Sequence, residues 1–254
     1  MPLIETESLV LKSYNLAEAD RIVVFLTREH GVVRGVAKGA KRLKSRFGSG
    51  LEPFSEVRAT YFQKENIELV SIQRADLIRS SFAVASDPGF LQKFSYLADL
   101  LVSFMPPHDP NETIYRMVQA CIDAAAKDRS TLNAIGVYFE LWLLKLSGYL
   151  PDWTRCDQCG RQLDDAEEAN VQANFHVLCA NCRRATSNRT LDATARDAVR
   201  KALKLSPDDF AAAARHEAPT LATISQILKD IVSHAIGREL NGEVSLALPA
   251  ANNG

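Results

Sequence analysis

Long apolar runs are missing from this chain of 254 residues. Its most apolar window, YFELWLLKLSGYL, contains Glu140 and Lys145 and is shorter than the roughly 20 residues that a membrane-spanning helix needs. The first residues, MPLIETESLVLKS, include two glutamates where a secretory signal has a basic start and an apolar run. We therefore expect a cytoplasmic protein without a membrane partner, and we interpret the apolar window as a buried helix.

Motifs of catalysis are also missing. The chain has no Gly-x4-Gly-Lys-Ser/Thr phosphate loop, no His-Glu-x2-His pair and no Gly-x-Ser-x-Gly turn. Its five histidines are scattered along the chain. We therefore predict that the protein is not an enzyme.

Acidic residues are absent between Glu29 and Glu52, although the whole chain is nearly balanced, with 30 Lys+Arg and 31 Asp+Glu. Residues 1–80 carry 13 Lys+Arg against 10 Asp+Glu, a net charge of +3, and the remainder carries 17 against 21, a net charge of −4. The acid-free interval holds six cationic residues: Arg34, Lys38, Lys41, Arg42, Lys44 and Arg46. This asymmetry indicates an anionic partner for the N-terminal part of the chain.

Five short segments in the first 80 residues have the composition of β-strands. They are TESLVLKSY, DRIVVFLT, GVVRGVAK, FSEVRATYF and IELVSIQRADLI. In the fourth segment Val57 is one step out of register with Phe54, Ala59 and Tyr61, which suggests a bulge. Five short strands predict a small closed barrel. An oligonucleotide-binding (OB) barrel fits best, and a small SH3-like barrel is the competing architecture.

Helical periodicity replaces this pattern after Asp87-Pro88, which is a favourable helix start. Three helices are expected up to residue 150, and the periodicity resumes at Ala193 and runs to about residue 236. We therefore predict an α+β multidomain protein with an OB-type barrel and a helical domain that contains an inserted zinc finger. The predicted boundaries are 1–80 for the barrel, 81–150 and 191–240 for the helical domain, 151–190 for the insertion and 241–254 for a frayed tail.

Four cysteines in the insertion form two Cys-x2-Cys pairs that are separated by 19 residues. Each pair can present two thiolates to one ion, and two pairs complete a tetrahedron. Four protein ligands leave no open position, so the pattern predicts one structural Zn²⁺ ion rather than a catalytic one. Two disulfides or four inert thiols are the competing interpretations, and His176 is a less favoured spare ligand. The predicted ligands are Cys156, Cys159, Cys179 and Cys182.

The basic segment GVAKGAKRLKSRFGSG lies between the third and fourth predicted strands and is flanked by glycines. We interpret it as a mobile connection rather than a packed element, with Phe47 and Tyr61 as additional stacking surface if they are exposed. Because OB barrels commonly bind nucleic acid, we predict contacts with phosphates that are largely independent of sequence. A solvated loop that only aids solubility is the competing interpretation, and an anionic membrane is a weaker one because the loop has no amphipathic apolar face.

The order of these parts resembles the RecO family of bacterial DNA repair proteins. The likeness covers essentially the whole chain, and its most specific stretches run from Glu18-Ala19-Asp20-Arg21 through Gly39-Ala40-Lys41-Arg42 to Leu51-Glu52-Pro53-Phe54. The resemblance implies a recombination mediator of the RecF pathway that binds single- and double-stranded DNA, anneals complementary strands and, with RecR, loads RecA on DNA coated by single-stranded-DNA-binding protein (SSB). It also implies a cytoplasmic, nucleoid-associated location.

Carried over residue by residue, the resemblance implies that the four cysteines bind zinc and that the basic loop contacts DNA. The implied DNA contacts are Lys38, Lys41, Arg42, Lys44 and Arg46, with Arg34 and Arg21 as further candidates. The acidic, apolar-ended C-terminal tail of SSB would suit an apolar groove with a basic rim, for which Lys93, Arg116 and Lys145 are candidates. The alternatives are an assembly adaptor that binds no DNA and, less favoured, a nuclease or hydrolase on a zinc scaffold.

Overall fold

The computed structural model describes residues 3–16, 18–63, 69–172, 174–183 and 189–237. The predicted frayed tail, 241–254, lies outside the described residues, as does the start of the fifth predicted strand. The first strand is longer than the sequence pattern suggested. The strands of this part of the chain are β1 (Leu3–Leu16), β2 (Asp20–Thr27), β3 (Gly31–Ala37), β4 (Glu56–Phe62) and β5 (Leu69–Arg79).

These five strands form a closed barrel in the order β1-β2-β3-β5-β4. All neighbouring strands are antiparallel except β3 and β5, where Arg34 pairs with Leu69 in a parallel register. The barrel closes through β1 and β4, where Leu3 pairs with Phe62. A closed five-stranded barrel with this crossed order is the OB architecture. The predicted fold class is therefore confirmed.

The interior of the barrel is apolar because alternate residues of each strand face inward. Val10, Val23, Phe25, Val33 and Val57 are fully buried there. Further inward-facing residues are Ala59, Tyr61, Val70 and Ile72. The pairing of β4 with β5 shifts register between Glu56 and Val57, at the predicted bulge.

Seven helices follow the barrel in the described chain: α1 (Phe82–Ala85), α2 (Pro88–Phe104), α3 (Glu112–Lys127), α4 (Leu132–Leu146), α5 (Ala193–Ala202), α6 (Pro207–Ala213) and α7 (Ala218–Ile236). Asp87 caps α2 as expected, because its carboxylate accepts from the amide of Phe90 at 2.8 Å. Helix α4 is buried on almost every side, which confirms the interpretation of the apolar window as a buried helix. No helix of the described residues is long and apolar enough to cross a membrane.

The helical domain packs directly on one outer face of the barrel. Leu9 and Leu11 of β1 and Val24 and Leu26 of β2 belong to the same buried cluster as the core of the helices. The link between α2 and α3 extends this contact, since His108 donates its amide to the carbonyl of Val32 at 3.2 Å. A Cβ atom on Gly31 would lie 2.2 Å from the carbonyl oxygen of Asp109, so only glycine fits at this junction.

Candidate nucleic-acid interface and metal centre

The basic segment leaves the barrel at the end that the helices do not cover. The covered half of the β2–β3 pair lies near Thr27 and Gly31, whereas the loop begins after Ala37, which pairs with Arg21 at the opposite end. Its first residues are fixed to the turn between β1 and β2. Gly39 donates its amide to the carboxylate of Asp20 at 2.8 Å, and Lys41 donates its amide to the carbonyl of Ala19 at 2.9 Å.

The prediction of a mobile, unpacked loop is wrong for its second half. Phe47 and Leu51 are only 3% and 2% exposed and belong to the core of the barrel. Because two apolar side chains are buried on this side and two backbone hydrogen bonds hold the other, the loop is fixed at both ends. Phe47 and Tyr61 are buried in the barrel, so neither offers a stacking surface.

The cationic side chains of the loop point to solvent. Lys38, Lys41, Arg42, Lys44 and Arg46 are all exposed. No ion pair within the described residues involves Lys38, Arg42 or Lys44. The loop therefore holds a concentrated positive charge in a fixed position, which is the electrostatic pattern of a polyanion-binding surface.

Three of the predicted DNA contacts differ from the others in their surroundings. Arg46 donates to the carbonyl of Ile72 at 3.3 Å and lies over the ring of Phe47, so part of its role is to fix the loop on β5. Arg21 and Arg34 lie on β2 and β3 and are half-buried. Arg21 is level with the base of the loop through its pairing with Ala37, whereas Arg34 lies three residues farther down β3.

The four cysteines of the insertion come together as the spacing predicted. The sulfur atoms of Cys156, Cys159, Cys179 and Cys182 all lie within 4.8 Å of one another. Zinc–sulfur bonds of about 2.3 Å in a tetrahedron place the sulfur atoms about 3.8 Å apart. The Sγ atoms of Cys159 and Cys179 are 3.9 Å apart, so the donor set fits one ion. These four residues could therefore hold a metal ion.

Backbone geometry prepares this site for thiolates. Gly160 adopts φ +73° directly after the second cysteine and donates its amide to the carbonyl of Cys156 at 2.8 Å. Burial would raise the pKa of the Cys156 thiol, but hydrogen bonds from the amides of Cys179, Cys159 and Gln158 outweigh it and lower this pKa to about 6. The exposed ring of His176 lies beside the carboxylate of Asp157, with 3.7 Å between Nδ1 and Oδ2, outside the four-sulfur cluster.

Arg196 fixes the insertion to the helical domain, and sequence reasoning missed it. This residue of α5 is only 5% exposed, and its guanidinium donates to backbone carbonyls of the insertion. The acceptors are Trp153 at 3.1 Å, Glu167 at 2.7 Å, Leu163 at 3.4 Å and Asp164. Its local sequence reads as an ordinary helix surface, so its role is visible only once the insertion folds back on α5.

A groove of about 490 Å³ lies among α2, α4, α6 and α7. Small apolar side chains such as Ala134, Val137 and Leu221 line its floor, and three cationic side chains line it as well. These are Lys93, Arg215 and Lys229. Of the three predicted rim residues, only Lys93 lies here. Arg116 borders a separate hollow on α3, and the Lys145 ammonium lies 4.7 Å from the centre of the Trp142 ring.

Glu140 lies in the core of the helical domain, near Lys93. Its carboxylate accepts from the hydroxyl of Tyr96 at 2.8 Å, and its residue is 3% exposed. Burial raises the pKa of Glu140 to about 7, although Tyr96 and the ammonium of Lys93 oppose this shift. Ionisation of Glu140 therefore opposes folding. The loss of stability begins as the pH rises through the usual value of 4.5 and is complete above about 7.

The fold and these sites define a class of protein: an OB barrel with a fixed basic loop, joined to a helical domain that carries a tetrathiolate metal site. Two family profiles match the chain, one described as recombination protein O N terminal over residues 1–81 and the other as recombination protein O C terminal over residues 93–243.

Individual relatives agree with these profiles. A DNA repair protein RecO of Koribacter versatilis is 33% identical over 188 residues, which cover 72% of this chain and 74% of the relative. A DNA repair protein RecO of Geobacter metallireducens is 31% identical over 179 residues, covering 70% and 72%. One from Anaeromyxobacter dehalogenans is 28% identical over 245 residues, covering 94% of both chains.

The chain belongs to the RecO family of DNA repair and recombination proteins. This membership confirms the resemblance seen in the sequence and the prediction that the chain is not an enzyme.

Proposed function

We propose that this protein is a recombination mediator that binds single- and double-stranded DNA through the basic loop, largely without sequence specificity. The observation that carries the proposal is the fixed presentation of Lys38, Arg42 and Lys44, exposed and without ion pairs among the described residues. Phosphate contacts from such side chains position a strand without reading its bases. A loop that screens the repulsion between two strands would promote annealing.

The proposed partners extend from DNA to proteins of the same process. RecR and, through it, RecA loading on SSB-coated DNA are part of the proposal, as is a location in the cytoplasm at the nucleoid. One structural Zn²⁺ is proposed for the four cysteines, since thiolates in a closed tetrahedral set favour this ion.

The tail of SSB is acidic and ends in apolar residues, and we propose that the groove beside α7 receives it. The small apolar floor would accept the apolar end, while Lys93, Arg215 and Lys229 would attract the acidic part. Lys229→Ser should weaken binding of a fluorescent peptide of this kind, whereas Lys204→Ser, an exposed lysine that does not line the groove, should leave it unchanged. Equal affinities in the two variants would exclude the groove.

A salt series of DNA-binding measurements tests the central proposal. In the loop variant, Lys38, Lys41, Arg42 and Lys44 become serine, and Arg46 is kept because it also holds the loop on β5. The control variant removes four exposed cations of the helical domain: Arg116, Lys127, Lys145 and Lys204. Both variants lose the same formal charge, so only the position of the cations differs.

The wild type should bind labelled single-stranded and duplex DNA with affinity that falls steeply as salt rises. A protein that neutralises about four phosphates shows a slope near −4 in log K against log [salt] on duplex, and the loop variant should lose about 3 to 4 of this slope. The control variant should keep it. Wild-type binding that the loop variant retains in full would move the interface elsewhere, and absence of any binding would favour the adaptor function.

A further inference from the structure

The tip of the basic loop carries an apolar side chain that nothing in the described part of the chain covers. Leu43 has a relative exposure of 102%, the highest among the exposed large hydrophobic residues. It stands between Arg42 and Lys44, which are also exposed. Full exposure of a leucine gives up about 1.5–3 kcal/mol of hydrophobic stabilisation, which becomes available when a partner covers it.

This leucine is held in place rather than carried by a loose loop. The amide of Arg42 donates to the carbonyl of Gly39 at 3.1 Å, and the amide of Ser45 donates to the carbonyl of Arg42 at 2.9 Å. Two successive turns therefore bracket Leu43, between the anchor on the β1–β2 turn and the buried ring of Phe47. A fixed apolar tip binds without a large additional loss of conformational entropy.

We propose that Leu43 packs against the bases of the nucleic-acid strand whose phosphates the surrounding cations bind. This inference rests on the proposed function of the loop. The occupant follows from charge: the exposed neighbours of Leu43 are cationic, and no acid occurs between Glu29 and Glu52. A polyanion that also offers apolar surface matches this arrangement, and nucleic-acid bases provide that surface beside the phosphates.

The contact would differ from the phosphate contacts in two measurable ways. It releases no counterions, so its contribution to the affinity should not depend on salt. It also requires an accessible base face, which a single strand offers directly and a duplex offers only after unstacking. Leu43 should therefore favour single strands over duplex, in addition to the charge-driven affinity for both.

The first test compares Leu43→Ser with the wild type on a single-stranded oligonucleotide over a salt series. We expect about a fivefold loss of affinity, corresponding to partial burial of one leucine, with an unchanged salt slope. Leu91→Ser is the matched control, because Leu91 is an exposed leucine of α2 at 40% exposure and lies outside the basic loop. The control should bind as the wild type does.

An abasic oligonucleotide of the same length separates bases from phosphates. On this strand Leu43→Ser and the wild type should bind equally, because no base face is present. A Leu43→Trp variant gives a direct readout: its fluorescence should be quenched on the normal strand and not on the abasic strand, relative to the wild-type signal of Trp142 and Trp153.

Each outcome decides between the two levels of the proposal. Steep salt dependence in the wild type together with equal affinity of Leu43→Ser on the normal strand would overturn the role of Leu43 and leave the basic loop as the DNA site. A loss of affinity that is the same on the abasic strand would also overturn it, since bases would not be the partner. Failure of the wild type to bind any strand would overturn the proposed function itself, and this inference with it.

Discussion

Replacement of Arg196 by methionine should detach the metal-binding insertion from the helical domain. The guanidinium of Arg196 is buried and is the donor to four backbone carbonyls, of which those of Trp153 and Leu163 belong to buried residues. Methionine preserves much of the apolar stem and removes every donor. The insertion would keep its own metal ligands but would lose its hydrogen bonds to the guanidinium of α5.

The size of the effect follows from the two buried acceptors. Each buried carbonyl left without a donor costs about 1–3 kcal/mol. Part of this is offset, because burial lowers the pKa of Arg196, which shows that its charge is held in a poorly solvated place. We expect Arg196→Met to lower the free energy of unfolding by about 3 kcal/mol.

Arg200→Met is the matched control for this measurement. Arg200 lies one turn farther along α5, and the side chains of its partners Asp165 and Asp197 are 83% and 44% exposed, so its ion pairs contribute less than about 1 kcal/mol. Urea unfolding followed by circular dichroism gives both free energies, and the zinc content of each purified variant shows whether the insertion keeps its metal. If the two variants unfold within about 0.5 kcal/mol of each other, the anchoring role of Arg196 is wrong.

Three further predictions concern the domain junction, the metal and the buried carboxylate. Gly31→Ala should lower the free energy of unfolding by at least about 2 kcal/mol more than Gly48→Ala, because both adopt positive φ but only Gly31 would place a Cβ against backbone, as thermal melts can show. Cys159→Ser should abolish the binding of about one zinc per chain in metal analysis, whereas Cys121→Ala, outside the cluster, should retain it; equal zinc content would contradict the tetrathiolate site. Glu140→Gln should match the wild type near pH 4.5 and become more stable than it, by up to about 3 kcal/mol, above pH 7, while exposed Glu168→Gln shows no such divergence; parallel pH profiles would refute the ionisation penalty.

Features with a local cause could be predicted from the sequence. The strands follow from short apolar alternation, the start of α2 from Asp87 before proline, and the metal cluster from the two Cys-x2-Cys pairs. Each of these signals is complete within about 30 residues of chain, so no knowledge of distant packing is needed. The sequence pattern narrows the barrel to two types but does not choose between their topologies, since the parallel pairing of β3 with β5 joins segments that are far apart in sequence.

Features that depend on distant packing could not be predicted. Phe47 lies among lysines and glycines, so its burial in the barrel has no local sign. Arg196 has the sequence context of a helix surface, and its acceptors lie 29 to 43 residues before it in the chain. The groove beside α7 is assembled from four helices, which explains why Lys93 was named together with two residues that lie elsewhere.

The packing of the helical domain explains why the β3–β4 loop is the proposed interface. OB barrels usually bind oligonucleotides across the face of strands 2 and 3 and the adjacent loops. Here Val24 and Leu26 of that face are buried under the helices, so a strand could not follow the whole face without separating two parts of one core. The uncovered end of the same face is where Arg21 pairs with Ala37 and where the basic loop begins. A strand held there by cations, with its bases turned toward Leu43, would need no movement of the helical domain, and the affinity should therefore be insensitive to changes such as Gly31→Ala that disturb the junction without unfolding the barrel.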